Sequence, residues 1–173
     1  MKKLKTALAA IAIAGTAWSA QAADISTTGS IALTSGTNYF GRVLDGAAGD
    51  TFTDRWDFAS IGTFDLAAGV IAITPGTTDG ISIDHFELFN SAGLSLGGTS
   101  LSSGMTDVWT LSTTHLVPDS YYLQVSGTLL GDDAASYGGT LTTVTAVPEP
   151  ETYGMLIGGL GLLGFLARRR KQA

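Results

Sequence analysis

Few residues in this 173-residue chain have the type and spacing to do chemistry. Gly93-Leu94-Ser95-Leu96-Gly97 matches G-x-S-x-G, the pattern that presents a serine nucleophile at a sharp strand-to-helix turn. That elbow needs a helix within a parallel α/β sheet, and the surrounding short alternations offer neither, so the glycines read as hairpin turn residues. Gly159-Leu160-Gly161-Leu162-Leu163-Gly164 fits a dinucleotide-binding pattern but lies inside an apolar C-terminal stretch, where no dinucleotide can bind. His85 and His115 are thirty residues apart and lack the spacing of a metal pair or a base with its partner. No pair of carboxylates stands out for glycoside hydrolysis. The reading is of no catalytic residue, and not an enzyme; a secreted hydrolase using Ser95 is the remote alternative.

Carboxylates do cluster. Asp45 and Asp50 bracket Gly46-Ala47-Ala48-Gly49, with Asp54 and Asp57 close behind, which makes calcium the one cofactor with a physical case. Solvated acidic surface is the default, and no metal ligand is assigned. In Phe52-Thr53-Asp54-Arg55-Trp56-Asp57-Phe58, strand alternation puts Phe52, Asp54, Trp56 and Phe58 on one face. If that face is the core, Asp54 must be hydrogen-bonded to backbone amides, paired with a base, or bound to a cation.

The elements that must hold these residues read as strands. From Ala23 onward Gly, Thr, Ser and Asp abound, and alternation predicts strands at Ile25–Leu33, Tyr39–Leu44, Thr51–Phe58, Gly62–Leu66, Val70–Thr74, Ile81–Phe89, Val108–Ser112, Tyr121–Gly127 and Gly139–Thr145. Turn signals such as Asp45-Gly46, Asp79-Gly80 and Pro118-Asp119 separate them. The fold class is all-β: a single antiparallel β-sandwich of jelly-roll type over 23–146, with twelve aromatic residues available for its core. No cysteine is present, so the domain folds without disulfides or thiolate metal sites. Between Ala23 and Val147 there are two basic residues, Arg42 and Arg55, against thirteen acidic ones, a net charge of minus eleven that repels nucleic acid.

The ends differ in kind. Residues 1–22 run from Lys2-Lys3-Leu4-Lys5 through an apolar body to Ala20-Gln21-Ala22, the layout of a secretory signal peptide, with mature protein starting at Ala23. Residues 147–173 join Val147-Pro148-Glu149-Pro150 to an apolar run at 153–167, then Arg168-Arg169-Arg170-Lys171. The prolines favour an extended handle. The apolar run is read as a transmembrane helix, and the four basic residues as a stop held in the cytoplasm. Fifteen residues make about 22 Å of helix against a hydrocarbon core of about 30 Å, and five glycines weaken it, which suits a transient halt better than a lasting anchor.

This tripartite end resembles a PEP-CTERM sorting signal of exported proteins in exopolysaccharide-producing Gram-negative bacteria. The resemblance implies recognition of Pro148, Glu149 and Pro150 by an exosortase, after a signal peptidase has removed the leader and while the inner membrane holds the tail. It also implies a cell-surface or extracellular-matrix destination, with exopolysaccharide as a candidate partner. The Phe52, Asp54, Trp56, Phe58 set resembles the F-x-D-x-F signature of a family of short PEP-CTERM proteins, with Trp56 in place of the second phenylalanine. Val117 to Gly127 and Tyr137-Gly138-Gly139 resemble the closing strands of prepeptidase C-terminal-type jelly rolls. A carbohydrate- or calcium-binding module is the second reading, with Tyr39, Tyr121, Tyr122 or Tyr137 as a stacking platform. Ice binding belongs to the same class, but the threonines lack the regular repeat of a flat ice-matching face.

Overall fold

The computed structural model of the chain describes residues 21–34, 36–60, 62–74, 79–145 and 150–170. The expected leader up to Ala20, the motif residues Pro148 and Glu149, and Lys171 of the basic stop lie outside them.

Among the described residues nine strands form two packed sheets. They are β1 (Thr28–Ser30), β2 (Gly36–Leu44), β3 (Thr51–Ser60), β4 (Phe64–Ile73), β5 (Ile81–Asn90), β6 (Thr99–Ser102), β7 (Thr106–Leu116), β8 (Asp119–Leu129) and β9 (Ala135–Thr145). One sheet runs β1-β3-β8-β5 and the other β2-β9-β4-β7-β6. The pairings of β2 with β9, β3 with β8 and β4 with β7 are nested. The chain thus behaves as a long hairpin folded over on itself, the jelly-roll arrangement.

Alternation accounts for the long strands. Along β8, Tyr121, Leu123, Val125, Gly127 and Leu129 point inward while Tyr122, Gln124, Ser126 and Thr128 are partly exposed. Along β4, Phe64, Leu66, Ala68, Val70 and Ala72 are buried in the same rhythm. The sequence reading splits this strand at Ala67-Ala68-Gly69, because alanine and glycine carry too little side chain to show the alternation. Backbone pairing to β7 and β9 on both sides carries the strand through. The sequence shows no strand at β6, whose four residues are all exposed and so have no apolar face to announce it.

One further correction concerns strand direction. Among the described residues all strand pairings are antiparallel except β1 with β3, which is parallel from Thr28↔Arg55 to Ser30↔Asp57, with an isolated parallel bridge between Asp24 and Thr51 ahead of it. The chain leaves β1, crosses to the other sheet as β2, and returns as β3 beside β1, so both run the same way. Only three residues of the expected Ile25–Leu33 strand pair regularly.

The core lies between the sheets and is bridged by aromatic rings. Phe40 stacks on Phe86 at 6.1 Å, Phe52 on Tyr137 at 5.8 Å, and Phe64 meets Tyr121 edge-on at 5.8 Å, each pair joining opposite sheets. Gly127 is where β5 and the Phe52 ring close in on β8: a Cβ there would stand 2.1 Å from the Ser82 carbonyl oxygen and 2.8 Å from Phe52 Cζ. Gly127→Ala is expected to destabilise the domain by about 1–3 kcal/mol, the usual cost of overpacking, read as a lowered urea midpoint.

Candidate functional site

The strand that carries the Phe52, Asp54, Trp56, Phe58 set supplies the most organised polar site of the body. Alternation does turn the set inward: Phe52 and Phe58 are buried, Trp56 packs against the core, and Asp54 has 0% exposure. A bare carboxylate there would be very costly, and three elements answer it. The Thr27 amide, on the arm leading into β1, donates to Asp54 Oδ1 at 2.9 Å. Arg42 Nη1 of β2 donates to the same oxygen at 2.7 Å. Tyr137 of β9 donates its hydroxyl to Oδ2 at 2.7 Å and accepts from Trp56 Nε1 at 3.0 Å. Of the three solutions open to Asp54, the fold uses the backbone amide and the base. Burial, with the hydrogen bond to Asp54, pushes the Tyr137 phenol well above its ordinary range, so it remains a donor. Sequence reasoning missed Arg42 and Tyr137 as partners of Asp54. One signal for Arg42 was available, since it is one of only two basic residues in the body.

The other grouped acids separate. Asp50 is buried and accepts from the Ala47 amide at 2.8 Å and the Ala23 amide at 2.7 Å, which hold its carboxyl below the usual range. Asp57 turns outward to Arg55 at 2.7 Å. Asp54 faces the core. Among the described residues no group of three or more acidic or histidine side chains is placed to hold a metal ion. Asp107, which no motif singles out, is buried and accepts from Ile83 and Gly104 amides at 2.7 and 2.8 Å. The Gly93–Gly97 match is part of a hairpin: Ser95 bridges Phe89, and the Leu96 amide donates to the Leu88 carbonyl. Ser95 Oγ accepts from the Gly97 amide. His85 and His115 are both exposed, on different sheets.

Of the four tyrosines considered as stacking platforms, Tyr121 and Tyr137 are excluded by burial, each 3% exposed. Both have inward-facing strand positions, where the ring fills core volume. Tyr122 is sandwiched, with Phe89 stacked at 4.9 Å and the Arg55 guanidinium 3.8 Å from its ring centre. Tyr39 alone projects, 77% exposed, at one end of a trough of about 520 Å³ across the outer face of the five-stranded sheet. Gly69 and Gly138 leave that trough low, while Ile71, Leu101 and Val108 make its walls apolar.

At the C-terminus, α1 spans Pro150–Arg170. The sequence reading holds residues 147–150 extended; Pro150 instead opens the helix, a position where its missing N–H costs nothing. Tyr153, Met155, Leu156, Ile157, Leu160, Leu162 and Leu163 are exposed. The expected helix at 153–167 is therefore present, but among the described residues no helix is long and apolar enough to cross a membrane. Its apolar run is short and glycine dilutes it. The model of the PEP-CTERM protein-sorting motif matches residues 146–171. The chain carries a PEP-CTERM sorting signal. It is thereby a protein directed to export and cell-surface sorting, with an exosortase as the partner of its tail.

No curated protein matches the chain by sequence. Among solved structures it is similar to a periplasmic inhibitor of g-type lysozyme, PliG of Aeromonas hydrophila, at 10% identity and TM-score 0.44, over 70% of this chain and 100% of that one. It is also similar to the pre-peptidase C-terminal domain of a Bacillus anthracis collagenase, at 14% identity and TM-score 0.37, over 72% and 95%. A third is CBM35 from Cellvibrio japonicus Abf62, at 15% identity and TM-score 0.30, over 60% and 72%. Likenesses this distant carry no functional argument.

Replacing Tyr137 with Phe removes the donor to Asp54 and the acceptor of Trp56, and is expected to cost about 1–3 kcal/mol in urea unfolding. The same variant tests the titration. A phenol whose folded pKa is raised contributes stability that is complete below about pH 10, the unfolded value, and is lost as pH rises above it. Tyr137→Phe should therefore flatten the alkaline fall in stability relative to wild type.

Proposed function

We propose that the chain is a non-catalytic surface or extracellular-matrix protein of an exopolysaccharide-producing Gram-negative bacterium. Its sandwich is the cargo, and the tail is the address that an exosortase reads and cuts. The observation that carries this reading is the PEP-CTERM match at 146–171, on a tail whose apolar side chains between Tyr153 and Leu163 are exposed. A short, glycine-diluted apolar run followed by Arg168, Arg169, Arg170 and Lys171 suits a halt in the inner membrane, basic end inside, before processing. The inward-facing Phe52, Asp54, Trp56, Phe58 set supports membership in the F-x-D-x-F group of such proteins. The leader before Ala23 serves a signal peptidase. Calcium and other cofactors have no role in this reading, and the acidic body disfavours nucleic acid.

A second reading, carbohydrate binding, is favoured by one observation: Tyr39 stands exposed beside the trough on the five-stranded sheet. An exposed aromatic face beside a shallow groove is suited to stacking on a sugar ring. On that reading Tyr39→Ala abolishes retention on the exopolysaccharide while leaving the urea midpoint unchanged; equal retention of both proteins dismisses it.

For the sorting reading, a tagged chain expressed with and without its exosortase is the direct experiment. The expected result is a smaller, surface-released form only where the exosortase is present, and an unprocessed membrane-associated form after Pro148→Ala/Glu149→Ala/Pro150→Ala. Identical size and location in both strains would refute it.

A further inference from the structure

Asp50 is a buried carboxylate, 7% exposed, at the entry to β3. The body holds two basic side chains, and both are taken: Arg42 by Asp54 and Arg55 by Asp57. Asp50 is bonded instead to two backbone nitrogens, Ala47 through Oδ2 and Ala23 through Oδ1. Its seat is tight, because a Cβ on Gly46 would stand 2.7 Å from Oδ2. The position of Ala23 is fixed from its other side as well. Its carbonyl accepts from the Thr51 amide at 2.9 Å, and the Ile25 amide donates to the Thr51 carbonyl at 2.9 Å.

Ala23 is also the residue at which the leader reading starts the mature chain. We propose that Asp50 is a built receptor for the α-ammonium group released when the leader is removed, so that export processing supplies the countercharge this carboxylate lacks in the precursor. Hydrolysis breaks the Ala22–Ala23 peptide bond. Water gives its hydroxyl to the Ala22 carbonyl carbon and a proton to the Ala23 nitrogen, and at neutral pH the products are a carboxylate and an ammonium. The nitrogen already lies 2.7 Å from Asp50 Oδ1, so a neutral amide donor becomes a charged one without moving. Charge-assisted bonds of this kind are roughly twice as strong as neutral ones. The inference rests on leader removal at Ala22–Ala23.

The surroundings leave Asp50 as the natural partner. Asp24, next in the chain, is turned to the Ser26 amide and hydroxyl. Asp132, from the loop after β8, accepts from the Ala48 amide at 2.8 Å. Ile25 and Leu129 side chains close in beside Gly46, where a Cβ would meet them at 3.5 and 3.2 Å. The carboxyl of Asp50, held low by its two amide donors, is ionised throughout the neutral range, so the pair persists until the ammonium loses its proton. An α-amino group raised by such a partner contributes stability that is complete below its ordinary pKa of about 8 and is lost as pH rises through the folded value.

The test uses the full chain, leader included, expressed in a Gram-negative host and purified after processing in mild detergent. Mass analysis of the N-terminal peptide identifies the first residue, and competitive acylation across pH 6–10 reports the α-amine; no lysine lies between Ala23 and Val147 to confuse the signal. With the chain starting at Ala23, the amine is expected to react about tenfold more slowly at pH 7.5 than in Asp50→Asn or in the wild-type chain unfolded in urea, equivalent to one pH unit in its midpoint. Asp132→Asn should react as wild type does. A start at Ala23 with equal rates in folded and unfolded wild type overturns the receptor role and leaves leader removal standing. A start at any other residue overturns the leader reading and the receptor role with it. The urea reference holds the test open even if Asp50→Asn does not fold.

Discussion

A carboxylate with no contact to solvent must be answered by donors, and the geometry around Asp54 is organised by that requirement. Charge inside an apolar sandwich is tolerated only where hydrogen bonds replace those of water. Asp54 receives them from the N-terminal arm, from β2 and from β9, so one side chain of the four-stranded sheet ties down two strands of the other sheet and the segment entering β1. Such a bond set is directional where hydrophobic packing is not. It fixes which residue of β3 faces which residue of β9, and the Phe52–Tyr137 stack lies beside the same contact.

The rest of the acidic body follows a related logic with fewer cations. With two arginines for thirteen carboxylates, buried acids turn to the backbone. Asp50 gathers the turn before β3, and Asp107 joins the turn before β7 to the start of β5. Among the described residues no buried side-chain polar atom lacks a partner. An acidic domain without cysteine is therefore held by aromatic bridging between sheets and by carboxylates that staple loops to strands.

The tail obeys other rules. Its apolar side chains from Tyr153 to Leu163 stay exposed rather than joining the core, and five glycines in fifteen residues dilute its apolar character.

Local pattern was enough to make the body all-β, because side-chain alternation is a property of neighbours along one strand, and it was enough to put Asp54 on one face with Phe52, Trp56 and Phe58; only the packing of the sheets decided that this face is the core. The tail's three parts were legible for the same reason: proline, apolar run and basic cluster follow one another along the chain, and the sorting-motif match spans them. Pairing was not legible. The parallel β1–β3 contact, the unity of β4 across Ala67-Ala68-Gly69, and the existence of β6 depend on which backbone lies alongside. So does the choice of partners for each acid. Arg42 and Tyr137 lie 12 and 83 residues from Asp54, and Ala23 lies 27 from Asp50. Separations of that size are closed only by tertiary structure: the packing of two sheets brings an arginine and a phenol to Asp54, and parallel pairing alongside β3 brings the nitrogen of Ala23 to Asp50.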